Sequence, residues 1–177
     1  KTGISSVRST YLFGDQLIGG TQGYGTGGKL FSINRNNGLE TWNRGFQWYG
    51  SGSISQDGTF YDCQMNSDIC SATNLNNGSL KWSYSFGGGH GNNHTLIGND
   101  GTIYTTRQQG LTILPSGCNV KKNTGLYAFN PDGTIKWHTD IALSTDYISD
   151  GRLTLNGNVL YMGYNTETDC AVLSNKG

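Results

Sequence analysis

The chain has 177 residues, enough for one domain, and its 12 Lys and Arg balance its 12 Asp and Glu. With only 14% of residues charged, that balance removes the electrostatic case for nucleic acid or an anionic membrane surface as partner, and no apolar run approaches the roughly 20 residues of a membrane span. The 28 Gly beside 10 Tyr, 6 Phe and 4 Trp describe many tight turns around an aromatic core, as an all-β chain needs.

The chain starts at Lys1 without Met or a signal peptide, which is expected of a processed or excised chain. A first hairpin turn is predicted at Gly14-Asp15, leading into Gln16-Leu17-Ile18. A strand follows over Leu30-Phe31-Ser32-Ile33, then a turn ending in Asn37-Gly38, then a strand that reaches Trp42. The same order returns at Asp57-Gly58-Thr59-Phe60-Tyr61, Cys70-Ser71-Ala72-Thr73, Asn77-Gly78 and Trp82. It returns again at Asp100-Gly101-Thr102-Ile103-Tyr104, Leu126-Tyr127-Ala128-Phe129, Asp132-Gly133 and Trp137. A fourth copy opens at Asn156-Gly157-Asn158-Val159-Leu160-Tyr161 and runs to Cys170-Ala171-Val172-Leu173-Ser174-Asn175-Lys176-Gly177, without an outer strand or Trp.

Asn-Gly and Asp-Gly between short apolar runs mark hairpins, because both tolerate positive φ. The repeats span roughly 1–42, 43–82, 83–137 and 138–177 of a single domain, and the insertion Gly110–Thr124 lengthens the third. No segment keeps a helical period, and Ala142-to-Tyr147 is too short to nucleate a helix alone. A unit of this length with four short strands matches a propeller blade; a β-sandwich with recurring turns is the alternative.

These phrases resemble the repeat of the PQQ-like (quinoprotein-type) β-propeller family, in which Asp-Gly-x-Val-Tyr precedes Leu-Tyr-Ala-hydrophobic and a closing Gly-x-x-x-Trp. The resemblance covers nearly the whole chain. It implies about four four-stranded blades, the last incomplete, forming half of a larger ring or an open arc completed by self-association. It also implies that Gly38/Trp42, Gly78/Trp82 and Gly133/Trp137 form a docking motif, each Trp stacking between neighbouring blades. The dehydrogenases of the family hold a quinone with adjacent cysteines, a Trp floor and a calcium site with a catalytic Asp. This chain has no adjacent Cys pair and no calcium pattern, so we expect no cofactor and no catalytic residue, and a fragment of such an enzyme is the third-ranked interpretation.

Four cysteines without CxxC or zinc spacing point to disulfides and an oxidising, extracellular setting. Cys63 and Cys70 flank a hairpin connection and are within bonding reach. Cys118 and Cys170 are then left for each other, unless the pairing differs or one bonds another chain. Sequons stand at Asn77, in a blade turn, and at Asn93, placed before an inner strand where a glycan is crowded. His90 and His94 lie in a Gly-rich loop without a third ligand, so no metal is expected. Aligned by their turns, Arg8, Ser51, His94 and Asp150 fall near the start of each innermost strand, at the mouth of a propeller channel. They could form a ligand pocket, or line the channel in solvent, with Arg8 and Asp150 as an ion pair. Trp48, Tyr49 and Tyr24 could stack on sugars or fill space between blades.

The function expected from this is structural and non-enzymatic. It is a secreted module that associates with itself or another protein through blade faces and free strand edges, giving a closed oligomer or a filament unless the chain is an excised piece of a larger propeller. The alternative is a ligand- or glycan-binding propeller using the channel mouth.

Overall fold

The computed structural model describes residues 6–22, 28–46, 52–63, 68–87, 90–108, 111–113, 119–121, 124–141, 147–157 and 159–167. Every regular element among them is a β-strand. The first blade runs in chain order through β1 (Ser6–Phe13), β2 (Gln16–Gln22), β3 (Gly28–Asn34) and β4 (Glu40–Phe46), all antiparallel. The second repeats it with β5 (Ser53–Ile54), β6 (Thr59–Cys63), β7 (Ile69–Asn74) and β8 (Leu80–Ser85). In the third, β9 (His90–Ile97) and β10 (Ile103–Gln108) are separated from β13 (Thr124–Phe129) and β14 (Ile135–Ile141) by the insertion. A fourth sheet pairs β15 (Tyr147–Asn156) with β16 (Val159–Glu167).

The insertion is not a bare loop. It forms its own hairpin, β11 (Leu111–Ile113) with β12 (Asn119–Lys121), whose Val120 pairs across with Thr112. Each outermost strand also continues past its Trp, to Phe46, Ser85 and Ile141, so the blades end later than the repeat boundaries drawn at the Trp. The reason is the ladder: residues beyond Trp42 still pair with Lys29 and Gly28 of the neighbouring strand.

Hairpin turns sit where glycine is needed. Gly58 and Gly101 adopt φ of 76° and 79°, a left-handed conformation that costs an L residue about 1–2 kcal/mol. In blades one and two the outer turn hangs on the inner one, since Arg35 N–H donates to Asp15 O and Leu75 N–H to Gly58 O, both at 2.9 Å.

Blades pack face to face. Between the first and second, Ile18 and Leu30 meet Phe60 and Leu75, all 0–1% exposed, with Tyr11, Phe13, Trp42 and Ile54 against them. Between the second and third, the filling is aromatic: Tyr61, Trp82, Tyr84, Phe86, Tyr127 and Phe129 surround Ile103, Ala72 and the two cysteines. Strands β9 and β10 pack in turn on β15. Hydrogen bonds tie the inner strands across blades. Gly52 N–H donates to Tyr11 Oη at 2.8 Å, Ser53 Oγ to Thr95 O at 2.5 Å, and Thr95 Oγ1 to Tyr61 O at 3.1 Å.

Candidate functional site: the blade-docking faces

The tryptophans reach forward. The Trp42 indole N–H donates to Leu75 O of the next blade at 2.8 Å, and a Cβ built on Gly78 would stand 2.5 Å from the Trp42 ring. Trp82 repeats this one blade on, donating to Pro131 O at 2.8 Å above Gly133, where a Cβ would come within 2.6 Å. Only a residue without a side chain leaves room for that ring. Gly38 has the same positive φ, yet no described residue lies within 4 Å of its Cβ position. Blade one therefore carries an open seat of the kind that Gly78 and Gly133 offer. Trp137 stands 5.9 Å from Tyr104 and remains 39% exposed.

Sheet register shows which residues face which neighbour, since side chains alternate along a strand. Ile54 pairs with Phe60, and Ile97 with Ile103; each pair looks back at the preceding blade. The equivalent pair in blade one is Leu12 with Leu17. Leu17, Phe31 and Ile33 are half-buried, while Leu12 and Leu39 are each 65% exposed. Among the described residues this face has no blade in front of it.

Cys63 and Cys70 pair directly across β6 and β7 and form a disulfide. Opening it with Cys63→Ser and Cys70→Ser together is expected to cost about 2–3 kcal/mol from the lost loop constraint. Thermal melts of the wild type with and without reductant check this independently. Cys118 and Cys170 lie outside the described residues.

A clasp that sequence reasoning missed closes two blades at their outer rim. Lys81 Nζ donates to Asp57 Oδ2 at 3.2 Å and to Thr59 Oγ1 at 2.6 Å. Lys136 makes the same contacts with Asp100 and Thr102, at 2.9 and 2.8 Å. The signal was the Lys before Trp82 and before Trp137; blade one has Thr41 there and pairs Arg35 with Asp15 instead. A hydrogen bond from Ser55, then those from Thr59 and Lys81, hold the Asp57 carboxyl well below the usual range. Lys136 and Thr102 do the same for Asp100. A carboxylate with a depressed folded value stabilises the fold above its unfolded value and loses that contribution as acid protonates it. The melting temperature is thus expected to be flat from pH 8 to about 5 and to fall below about pH 4, as carboxylates titrate. The double variant Asp57→Asn/Asp100→Asn, melted across the same range, should lose part of that fall.

Burial raises the Tyr11 hydroxyl, which accepts from Gly52, and also that of Tyr61. Burial lowers Arg44, which the charge of Asp62, 1% exposed, partly offsets across the first blade junction. At the second junction the Arg107 guanidinium lies 4.9 Å from the centre of the Phe86 ring.

Three of the four proposed channel-mouth positions fall at register shifts. Arg8 lies in the shift between Val7 and Thr10, His94 in that of β9 opposite Thr105 and Arg107, and Asp150 in that between Ser149 and Arg152. Ser51 lies outside the described residues, and the side chains of Arg8 and Asp150 are not described. His94 is half-buried, and its carbonyl accepts from Thr105 Oγ1 at 3.2 Å. His90 and Asn93 stand inside β9, not in a loop or ahead of the strand, because the strand absorbs its Gly/Asn-rich start as a bulge. Asn77 is exposed, and its Oδ1 accepts from Ser79 N–H at 3.0 Å. Trp48, Tyr49 and Tyr24 lie outside the described residues. Two clefts open beside the Asp-Gly turns. One of about 440 Å³ is lined by Ser55, Asp57, Tyr61 and Asn99; one of about 320 Å³ by Asp100, Tyr104 and Leu155.

Successive four-stranded antiparallel sheets, packed face to face and pinned by forward-reaching tryptophans, define an arc of β-propeller blades. Among solved structures the chain is similar to BamB from Moraxella catarrhalis, with a TM-score of 0.59 and 18% identity over 85% of this chain and 44% of that one. The likeness is one of fold, and the chain spans less than half the length of that protein. No family model and no curated protein matches the chain.

Proposed function

We propose that the chain is a non-enzymatic structural module of the PQQ-like propeller type, which works by self-association through its blade faces. One observation carries this proposal: blade one presents an apolar face, with Leu12 65% exposed, whose counterparts in the later blades are covered. A blade buries its faces only against neighbours, and uncovered apolar faces mark association surfaces. The edge of β16, which pairs only with β15 among the described residues, adds a second point of attachment. The Cys63–Cys70 bond supports an extracellular, oxidising setting. A glycan on exposed Asn77 belongs to the same proposal, and a mass loss on endoglycosidase treatment is its readout.

Sedimentation velocity across a range of concentrations, with electron microscopy of the same samples, tests the proposal. Multiples of the chain mass, as filaments or rings, are expected. A monomer at every concentration overturns it. Ligand or glycan binding at the channel mouth is the second candidate, favoured by the register shifts at Arg8, His94 and Asp150, since bulges re-aim side chains near binding sites. A glycan array without a binder removes it.

A further inference from the structure

The internal junctions share one residue pattern, and among the described residues both ends of the arc carry it unfilled. At each junction a leading pair meets a residue that follows it by one in the preceding blade's second strand. Ile54 and Phe60 meet Ile18, and Ile97 and Ile103 meet Tyr61. At the third, Leu155 pairs with Leu160, and Leu155 lines a cleft with Tyr104. At the first two junctions the second-strand members are closed, Ile18 and Phe60 being 0% exposed, Ile103 1% and Tyr61 4%, while Ile54, Ile97 and Tyr104 are half-buried. On blade four, Tyr161 holds the position of Ile18, Tyr61 and Tyr104, and register puts it on the same face as Val159, away from blade three. Both are 54% exposed. On blade one, no described blade covers the leading pair Leu12 and Leu17, and Leu12 is 65% exposed.

Resting on the self-association proposed above, we infer that copies join head to tail: Val159 and Tyr161 of one copy cover Leu12, Leu17 and Ile33 of the next. The occupant is a second copy because Tyr161 continues the trailing position that Ile18 and Tyr61 fill at the junctions within the chain. Such a contact is heterologous, closing into a ring or running on as a filament according to the rotation per copy. A two-fold contact of two leading faces would instead leave both Tyr161 side chains in water.

Two variants, each blocking one end, separate these arrangements. Leu12→Asp keeps the trailing face and Tyr161→Asp keeps the leading face. Both positions are more than half exposed, so neither charge enters a core, and circular dichroism melts verify folding. In head-to-tail joining each variant alone sediments as a monomer, and an equimolar mixture restores one intact contact, doubling the mass to a heterodimer. Tyr161→Asp dimers without Leu12→Asp present would show leading faces meeting each other and overturn the inference. So would a mixture that stays monomeric while the wild type associates. A wild type that is itself monomeric overturns the underlying proposal instead, leaving the face to another protein or to further blades.

Discussion

Trp82→Ala is expected to lower the unfolding free energy by about 3 kcal/mol, near the lower end of the range for large aromatic truncations. The ring lies between Tyr61 and Phe129, with centroids 5.9 and 6.0 Å away, and rests on Gly133. Its removal leaves a void between two blades and strips Pro131 O of its donor. Part of the ring is exposed to water, which is why the expected loss is not larger. The control is Trp137→Ala. That ring donates to no described acceptor and is 39% exposed, so its loss should cost about 1 kcal/mol or less. Urea unfolding with unchanged m-values reads the difference. Equal losses at the two positions would mean that the ring matters within its own sheet and not across the junction.

Gly78→Ala and Gly38→Ala form the second pair. Both glycines have a φ of 73°, so both substitutions carry the same left-handed strain of about 1 kcal/mol. Gly38 meets no further described residue, and its variant should lose only that. At Gly78 the new methyl falls 2.5 Å from the Trp42 ring, which must move off its seat and off Leu75 O. Overpacking of this kind adds about 1–3 kcal/mol, for a total of about 2–4. Denaturant titration of the two variants isolates the cost of unseating a tryptophan, because the backbone strain cancels. If Gly38→Ala is as costly as Gly78→Ala, the seat on blade one is filled in solution.

The blade order was legible because it rests on local chemistry. Asp57-Gly58 and Asp100-Gly101 announce their hairpins by the φ they require, and Gly-x-x-x-Trp sets a turn and a ring at fixed spacing. The hand-over from Trp42 to Gly78 was visible only as a recurring motif, since the receiving carbonyl, Leu75 O, lies 33 residues further along the chain. The Asp-Thr-Lys clasp was missed because its parts sit 22 to 36 residues apart and each looks like an ordinary surface residue. Register shifts are harder still. The bulge at His94 depends on how β9 lines up with β10, which no local signal in the Gly/Asn-rich stretch specifies. The strands of the insertion after β10 were equally hidden, because Leu111–Ile113 and Asn119–Lys121 are three-residue runs that pair only with each other.

The forward reach of Trp42 and Trp82 gives the arc a polarity, and shortening it is unequal at the two ends. Deleting blade one vacates the glycine turn at Gly78 and lays Phe60 and Leu75, both 0% exposed in the intact arc, open to water. Truncating the arc after blade two instead takes the seat from beneath Trp82 and turns an indole, with its N–H, out into solvent. Each loss opens an apolar face, and only the second adds an unseated indole, so loss from the front is the milder injury. A lineage that adds or sheds such units by recombination should find its crossover points more tolerable at the leading end.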